Sequence, residues 1–279
     1  MEILIAKSAG FCFGVKRAIN IAKKSADDVR GEISTLGPII HNPQVVKKLE
    51  DSANIRPRKT LEEIQGGTII IRSHGVKLKE FAAAKEKGLN IVDATCPFVK
   101  KTQELVSDLT RDGYTVIVVG DREHPEVQGI ISYGNPDIIV AASVDEIKDL
   151  PKREKIGIVA QTTQSQERLQ KIADFCLTRA SEVKVCNTIC SATSVRQEES
   201  VEISKEVECM IVIGGKNSGN TRRLFEVCHS IQPKTYHIEE AREIDPAWFK
   251  GIERLGVTAG ASTPKWIIEE VISRLEELA

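Results

Sequence analysis

Three of the seven cysteines share one recurring context. Cys12 in Gly10-Phe11-Cys12-Phe13-Gly14, Cys96 in Asp93-Ala94-Thr95-Cys96-Pro97 and Cys190 in Asn187-Thr188-Ile189-Cys190-Ser191 each end a strand-like run and open a helix-like one, at nearly even spacing along 279 residues. The partial positive charge of a helix N-terminus favours a thiolate. Three thiolates offered to one centre are the ligand set of a metal or an iron–sulfur cluster. Structural zinc takes four closed ligands, commonly from Cys-x-x-Cys pairs, and the chain has no such pair. On a cubane cluster, three thiolates leave one iron without a protein ligand, a Lewis acid for a substrate oxygen. A histidine as fourth ligand closes the site instead, and the residues alone leave both arrangements open. Cys186, four residues before Cys190, is a further candidate ligand. Cys176, Cys209 and Cys228 sit in apolar helix- or strand-like runs and read as small buried hydrophobes.

Of the five histidines, His41, His74 and His124 fall in polar loops at predicted strand ends, near Ser, Thr and Asn. Such donors suit an anion, above all a phosphate at helix N-termini. Asn217-Ser218-Gly219-Asn220-Thr221 adds hydroxyl and amide donors with backbone freedom at Gly219. It is neither a Walker loop nor a dinucleotide fingerprint. Glu126 follows His124 by two residues; a carboxyl in a partly dry cavity beside an anion has a raised pKa and can deliver protons, and a capping role is the plain alternative. Basic residues follow each of the three cysteines (Lys16 and Arg17, Lys100 and Lys101, Arg196), and solvated helix faces account for them.

The elements that must position these groups alternate. Short β-branched runs at residues 2–6, 68–72, 90–92, 115–119, 138–140, 156–160, 209–213 and 256–258 are separated by helix-period segments such as 15–24, 98–110, 165–178 and 266–278. That alternation predicts βαβ units, mostly parallel sheets and helices on both sheet faces. The polar loops and the cysteines all fall at C-terminal ends of strands, where such sheets bind ligands. The pattern predicts an α/β fold of three similar lobes, residues 13–96, 97–190 and 191–279 with 1–12, in which the N-terminal strand closes the third. The expected arrangement is pseudo-threefold about a central cavity.

Composition excludes little else. Hydrophobic content of 41% and charged content of 28% are ordinary for a globular protein. Thirty-nine basic against 40 acidic residues, net −1, give no pull toward nucleic acid or an anionic membrane. The N-terminus lacks the basic region and apolar length of a secretory leader, and no run approaches the roughly 18 apolar residues of a membrane span. A cytoplasmic protein without structural disulfides is expected.

Taken in order, Gly10-Phe11-Cys12-Phe13-Gly14-Val15-Lys16-Arg17-Ala18, Leu36-Gly37-Pro38-Ile39-Ile40-His41-Asn42-Pro43, Arg72-Ser73-His74-Gly75, Asp93-Ala94-Thr95-Cys96-Pro97, His124-Pro125-Glu126, Gln161-Thr162-Thr163, Thr188-Ile189-Cys190 and Ala259-Gly260-Ala261-Ser262 resemble the IspH/LytB family over essentially the whole chain. Its members are 4-hydroxy-3-methylbut-2-enyl diphosphate reductases, the last step of the methylerythritol phosphate route to isoprenoids. The resemblance implies a 4Fe–4S cluster on Cys12, Cys96 and Cys190, with one iron not ligated by protein, and argues against Cys186 as a ligand. It implies diphosphate binding by His41, His74, Ser218, Asn220 and Ser262, with His124 lining the same pocket, and proton donation by Glu126 acting with Thr162. Ferredoxin or flavodoxin is the electron donor it implies. One departure is Gly219, where many members carry Ser: a hydroxyl is lost and the backbone N–H remains for the diphosphate. No extra C-terminal domain of the kind some members carry is expected. Two other function classes fit the residues: an open-iron hydratase or lyase without net electron transfer, and a redox-sensing diphosphate-binding protein.

Overall fold

A computed structural model of the protein describes residues 1–29 and 31–278; residue 279, the end of the third lobe drawn from the sequence, lies outside the described residues. The strands are β1 (Glu2–Ile5), β2 (Ile33–Leu36), β3 (Ile55–Arg58), β4 (Thr68–Ile71), β5 (Asn90–Asp93), β6 (Thr115–Val119), β7 (Ile139–Ala141), β8 (Arg153–Ala160), β9 (Ala180–Val185), β10 (Cys209–Ile213), β11 (Thr235–Ile238) and β12 (Arg254–Ala259). The helices are α1 (Phe13–Asp28), α2 (Pro43–Ala53), α3 (Leu78–Glu86), α4 (Pro97–Arg111), α5 (Pro125–Ile131), α6 (Gln166–Leu177), α7 (Ser191–Glu206), α8 (Gly219–Ile231) and α9 (Lys265–Glu276).

Among the described residues the strands form three four-stranded sheets, ordered β3-β2-β4-β5, β7-β6-β8-β9 and β11-β10-β12-β1. Every pairing is parallel. Each sheet repeats one topology: its second strand lies outside its first, and its third and fourth follow on the other side. In the last sheet the fourth place goes to β1, paired with β12 from Glu2 opposite Arg254 to Ile5 opposite Val257. Chain direction across the sheet therefore reverses between the first and third strands, and that switch point is where open parallel sheets leave a crevice at their C-terminal ends.

Alternation of side chains along the central strands buries both faces. Ile117 and Val119 join Ile158 and Ala160 against Leu169, Ile172 and Ala173 of α6. The intervening Val116, Val118 and Val159 meet Val106 and Leu109 of α4 and Val127 and Ile130 of α5. In the third sheet Ile211, Ile213 and Val257 face Ile267, Val271 and Leu275 of α9, while Met210 and Val212 face Leu224 of α8. Ile69 and Ile71 of the first sheet pack on Val76 and Ala84 beside α3. The chain forms two compact units: residues 1–16, 41–45 and 191–279, which hold the third sheet, and residues 17–40 and 46–190, which hold the other two. Among the described residues no helix is long and apolar enough to cross a membrane.

Candidate functional site

The three cysteines are anchored in one way. Each follows the fourth strand of a sheet, immediately precedes a helix, and donates its N–H to the carbonyl two residues beyond the end of the neighbouring third strand. Cys96 N donates to Ser73 O at 2.9 Å, Cys190 N to Thr162 O at 3.0 Å and Cys12 N to Ala261 O at 3.1 Å. Those carbonyls lie in matching tight turns, closed by Gly75 N to Arg72 O, Gln164 N to Gln161 O and Thr263 N to Gly260 O, each at 3.0 Å. Two approaches to a cysteine also share an Asx turn: Thr95 N donates to Asp93 Oδ1 at 2.9 Å and Ile189 N to Asn187 Oδ1 at 3.2 Å. The repeat legible in the sequence is thus a repeat of hydrogen bonds.

The thiols divide into two kinds. Cys12, Cys96 and Cys190 are half-buried, and Cys12 Sγ accepts from Val15 N at 3.5 Å. Cys176, Cys209 and Cys228 are fully buried, and burial pushes each thiol up to about 11. They stay protonated and inert at neutral pH. Cys186 extends the edge of its sheet, donating its N–H to Ile158 O at 2.8 Å. It opens no helix. Soft sulfur donors at three helix N-termini fit an iron–sulfur cluster.

In the larger unit, Glu126 lies in the first turn of α5 and is 2% exposed. Its Oε1 accepts from Thr162 N at 2.7 Å and its Oε2 meets Thr162 Oγ1 at 3.0 Å. Burial raises its pKa above the ordinary carboxylate value, the two Thr162 bonds opposing in part. Glu126, Thr162 and the Cys190 N–H therefore form one connected set. His124 caps α5: its Nδ1 accepts from Glu126 N at 3.1 Å, so the neutral ring carries its proton on Nε2. The His74 ring meets that of His124 edge-on, centroids 5.6 Å apart. Ser73 donates to Ile39 O through both N and Oγ, at 3.2 and 3.1 Å, tying the His74 turn to the loop after β2.

Gly75 closes that turn at φ +74°, and a Cβ there would sit 2.9 Å from Gln103 Nε2 and 3.3 Å from Thr95 Cγ2. Left-handed backbone costs a non-glycine residue about 1–2 kcal/mol. Gly75→Ala should lose at least about that much stability in a denaturant titration, with the strain falling beside Cys96.

In the smaller unit, Ser218 caps α8, its Oγ accepting from Thr221 N at 3.3 Å, and Gly219 is the first residue of that helix. Asn220 Oδ1 accepts from Ala261 N at 2.8 Å, which assigns the amide's other end, Nδ2, as its donor. Ser262 Oγ donates to His41 O at 3.0 Å. Ser218, Asn220 and Ser262 are all buried. The loops after β10 and β12 thus meet at the switch point of their sheet, and His41 lies with them.

Of the basic residues after the cysteines, Lys16 and Lys101 lie exposed on their helices, and sequence reasoning missed the work of the other three. Arg17 Nη1 donates to Thr95 O at 3.1 Å, Lys100 pairs with Asp93 at 2.5 Å, and Arg196 is 3% exposed with its guanidinium on the Ser8 and Gly10 carbonyls. Each reaches a cysteine loop, Arg196 almost out of contact with water and Lys100 from a partly exposed position. Position alone, four to six residues beyond a cysteine, was the available signal.

The family model described as LytB protein matches residues 3–276. The chain belongs to the LytB family. It is 58% identical over 278 residues to the 4-hydroxy-3-methylbut-2-enyl diphosphate reductase of Pelobacter propionicus, covering 100% of this chain and 99% of that protein. The reductase of Geobacter sulfurreducens bearing the same name is 57% identical over 277 residues, 99% of this chain and 98% of that one. Among solved structures, one (E)-4-hydroxy-3-methyl-but-2-enyl diphosphate reductase, described as the terminal enzyme of the non-mevalonate pathway, is 48% identical with a TM-score of 0.71, covering 99% of this chain and 100% of that one. The reductase from Plasmodium falciparum is 26% identical with a TM-score of 0.92, covering 98% and 87%. LytB-family membership accounts for the alternating fold and implies an iron–sulfur enzyme.

Proposed function

We propose that the chain reduces 4-hydroxy-3-methylbut-2-enyl diphosphate to isopentenyl and dimethylallyl diphosphates, replacing the allylic C–O bond with C–H. Two electrons and two protons enter, and the hydroxyl leaves as water. Identity above half the residues over full length, to proteins carrying that reductase name, carries the reading. Cys12, Cys96 and Cys190 would hold a 4Fe–4S cluster. Bound there, the cluster would supply electrons singly and, if one iron is left without a protein ligand, a Lewis acid for the alcohol oxygen.

The chain's own residues would do the rest. A diphosphate needs several N–H and O–H donors and little competing negative charge. His124 with its Nε2 proton, His74 beside it, His41, the Asn220 amide, the Ser218 and Ser262 hydroxyls and the Gly219 N–H at the start of α8 supply them, aided by that helix's positive end. Glu126 would be the proton source. Its Oε1 is held as an acceptor by Thr162 N, so the acid proton belongs on Oε2. From there it passes to Thr162 Oγ1 at 3.0 Å, which hands on its own proton toward the leaving hydroxyl. Ferredoxin or flavodoxin would deliver the electrons.

Thr162→Val removes the relay and Thr162→Ser keeps it. The valine variant should turn over about tenfold to a hundredfold more slowly, toward the low end of what proton-transfer groups supply, and the serine variant within a few-fold of the parent; equal rates for all three would remove Thr162 from the relay. Chromatography of the products after anaerobic incubation with substrate tests the function itself. Five-carbon diphosphates formed only when a reductant is present support the reductase. Product without reductant would point to a hydratase or lyase.

A further inference from the structure

Two guanidinium groups reach from helices to the backbone of cysteine loops. Arg196 of α7 donates through Nη2 to Ser8 O at 2.7 Å and Gly10 O at 2.8 Å, and through Nη1 to Ala192 O at 3.1 Å. Glu199, one turn further along α7, accepts from Lys7 N at 2.7 Å, from Ser8 N at 2.8 Å and from Ser8 Oγ. Together the two side chains take up the backbone that joins β1 to Cys12, in which Gly10 stands at φ +102°. In the other unit, Arg17 of α1 donates to Thr95 O, the carbonyl directly before Cys96. The N–H of the same Thr95 is held by Asp93, itself paired with Lys100.

The connectivity is what matters. α1 begins one residue after Cys12, and its arginine grips the loop of Cys96. α7 begins one residue after Cys190, and its arginine grips the loop of Cys12. A guanidinium at 3% exposure carries a large desolvation cost, and apolar side chains hold a helix to a sheet with no such cost. What an apolar side chain cannot do is fix carbonyls in the irregular backbone beside a ligand.

We propose that Arg17 and Arg196 are positioning residues for the cysteine loops: each fixes one thiolate's loop to the helix that follows another cysteine, and so sets how firmly an iron–sulfur cluster is kept. This rests on the cluster reading of Cys12, Cys96 and Cys190. Groups that orient metal ligands from behind commonly contribute ten- to a hundredfold in metal retention.

The test uses the full chain, reconstituted without oxygen, as parent, Arg17→Met, Arg17→Lys, Arg196→Met and Lys24→Met, the last on the exposed side of α1. Iron release to a chromophoric chelator is followed with loss of visible absorption, alongside electron paramagnetic resonance of the reduced protein and denaturant titration of the metal-free chains. Arg17→Met and Arg196→Met should release iron about tenfold to a hundredfold faster than the parent, with an altered resonance line shape. Arg17→Lys should recover most of the retention, and Lys24→Met should match the parent. Arg17 is half-buried, so its methionine variant keeps the test valid even if Arg196→Met does not fold. Parental release rates and line shape in Arg17→Met would overturn the proposal, as would faster release matched by an equal loss of metal-free stability with an unchanged line shape. A parent that takes up no iron and sulfide would overturn the reading of the cysteines, and this inference with it.

Discussion

Glu126→Gln should lower turnover by about a hundred- to ten-thousandfold and leave the metal centre intact. Gln is close in shape to Glu: its Oε1 can still accept from Thr162 N, and its Nε2 can donate to Thr162 Oγ1. What it lacks is a proton to give. The pH profile separates this from a packing effect. Burial raises the Glu126 pKa from its ordinary 4.5, against the two hydrogen bonds from Thr162. The acid form is therefore retained to higher pH in the folded protein than in the unfolded chain. Turnover that needs this acid is full below the folded pKa and falls as pH rises through it. The stability tied to burying a neutral carboxyl has the same sign, fully present below the ordinary carboxyl range and lost as pH climbs through the raised value. Glu126→Gln should thus show no alkaline limb from this group in its residual rate. Its stability should gain on the parent's as pH rises through that window. Near-parental turnover in the variant would remove Glu126 from the proton path.

Cys12→Ala, Cys96→Ala and Cys190→Ala should each fail to hold a full complement of iron and sulfide, with turnover falling to background, because each removes one of the three proposed sulfur ligands. Cys176→Ala, Cys209→Ala and Cys228→Ala should keep the metal and lose only stability. Their thiols sit in the packed faces of α6, β10 and α8 and are pushed up to about 11 by burial. Cys186→Ala should also keep the metal, since Cys186 continues a strand edge instead of opening a helix. Iron and sulfide determination on the reconstituted set checks the division. A Cys186 variant that loses iron, or a Cys96 variant that keeps it all, would redraw the ligand set.

Central strands were legible in the sequence because both their faces are buried: the β-branched run Thr115–Val119 and the unbroken apolar run Cys209–Ile213 read as strands and fold as such. Edge strands were legible only in part: β1, β5 and β7 were read from the sequence, and β3, β9 and β11 were not. β3 carries Pro57, β9 is exposed at Ser181, Glu182, Lys184 and Val185, and β11 contains Tyr236 and His237. Each needs only one neighbour, so its apolar signal is weak. β2 is central yet was missed, because Ser34 and Thr35 are polar residues that the fold buries. At the site, chemistry-bearing residues stood out by type and spacing, as with Glu126 two residues after His124. Its partner Thr162 is 36 residues away, and periodicity carries no trace of that contact; only the family motif joined them. The grip of Arg17 and Arg196 on the cysteine loops left no mark either, since a structural arginine and a solvated one look alike in sequence.

The central claim is tested most directly by anaerobic oxidation of reduced methyl viologen when 4-hydroxy-3-methylbut-2-enyl diphosphate is added to the reconstituted protein. Oxidation that depends on substrate, consumes two electrons per molecule of alcohol and falls at least about a hundredfold in Glu126→Gln is the predicted result. A protein with its full iron and sulfide that binds the diphosphate and leaves the viologen reduced would contradict the reductase account and favour a sensing role.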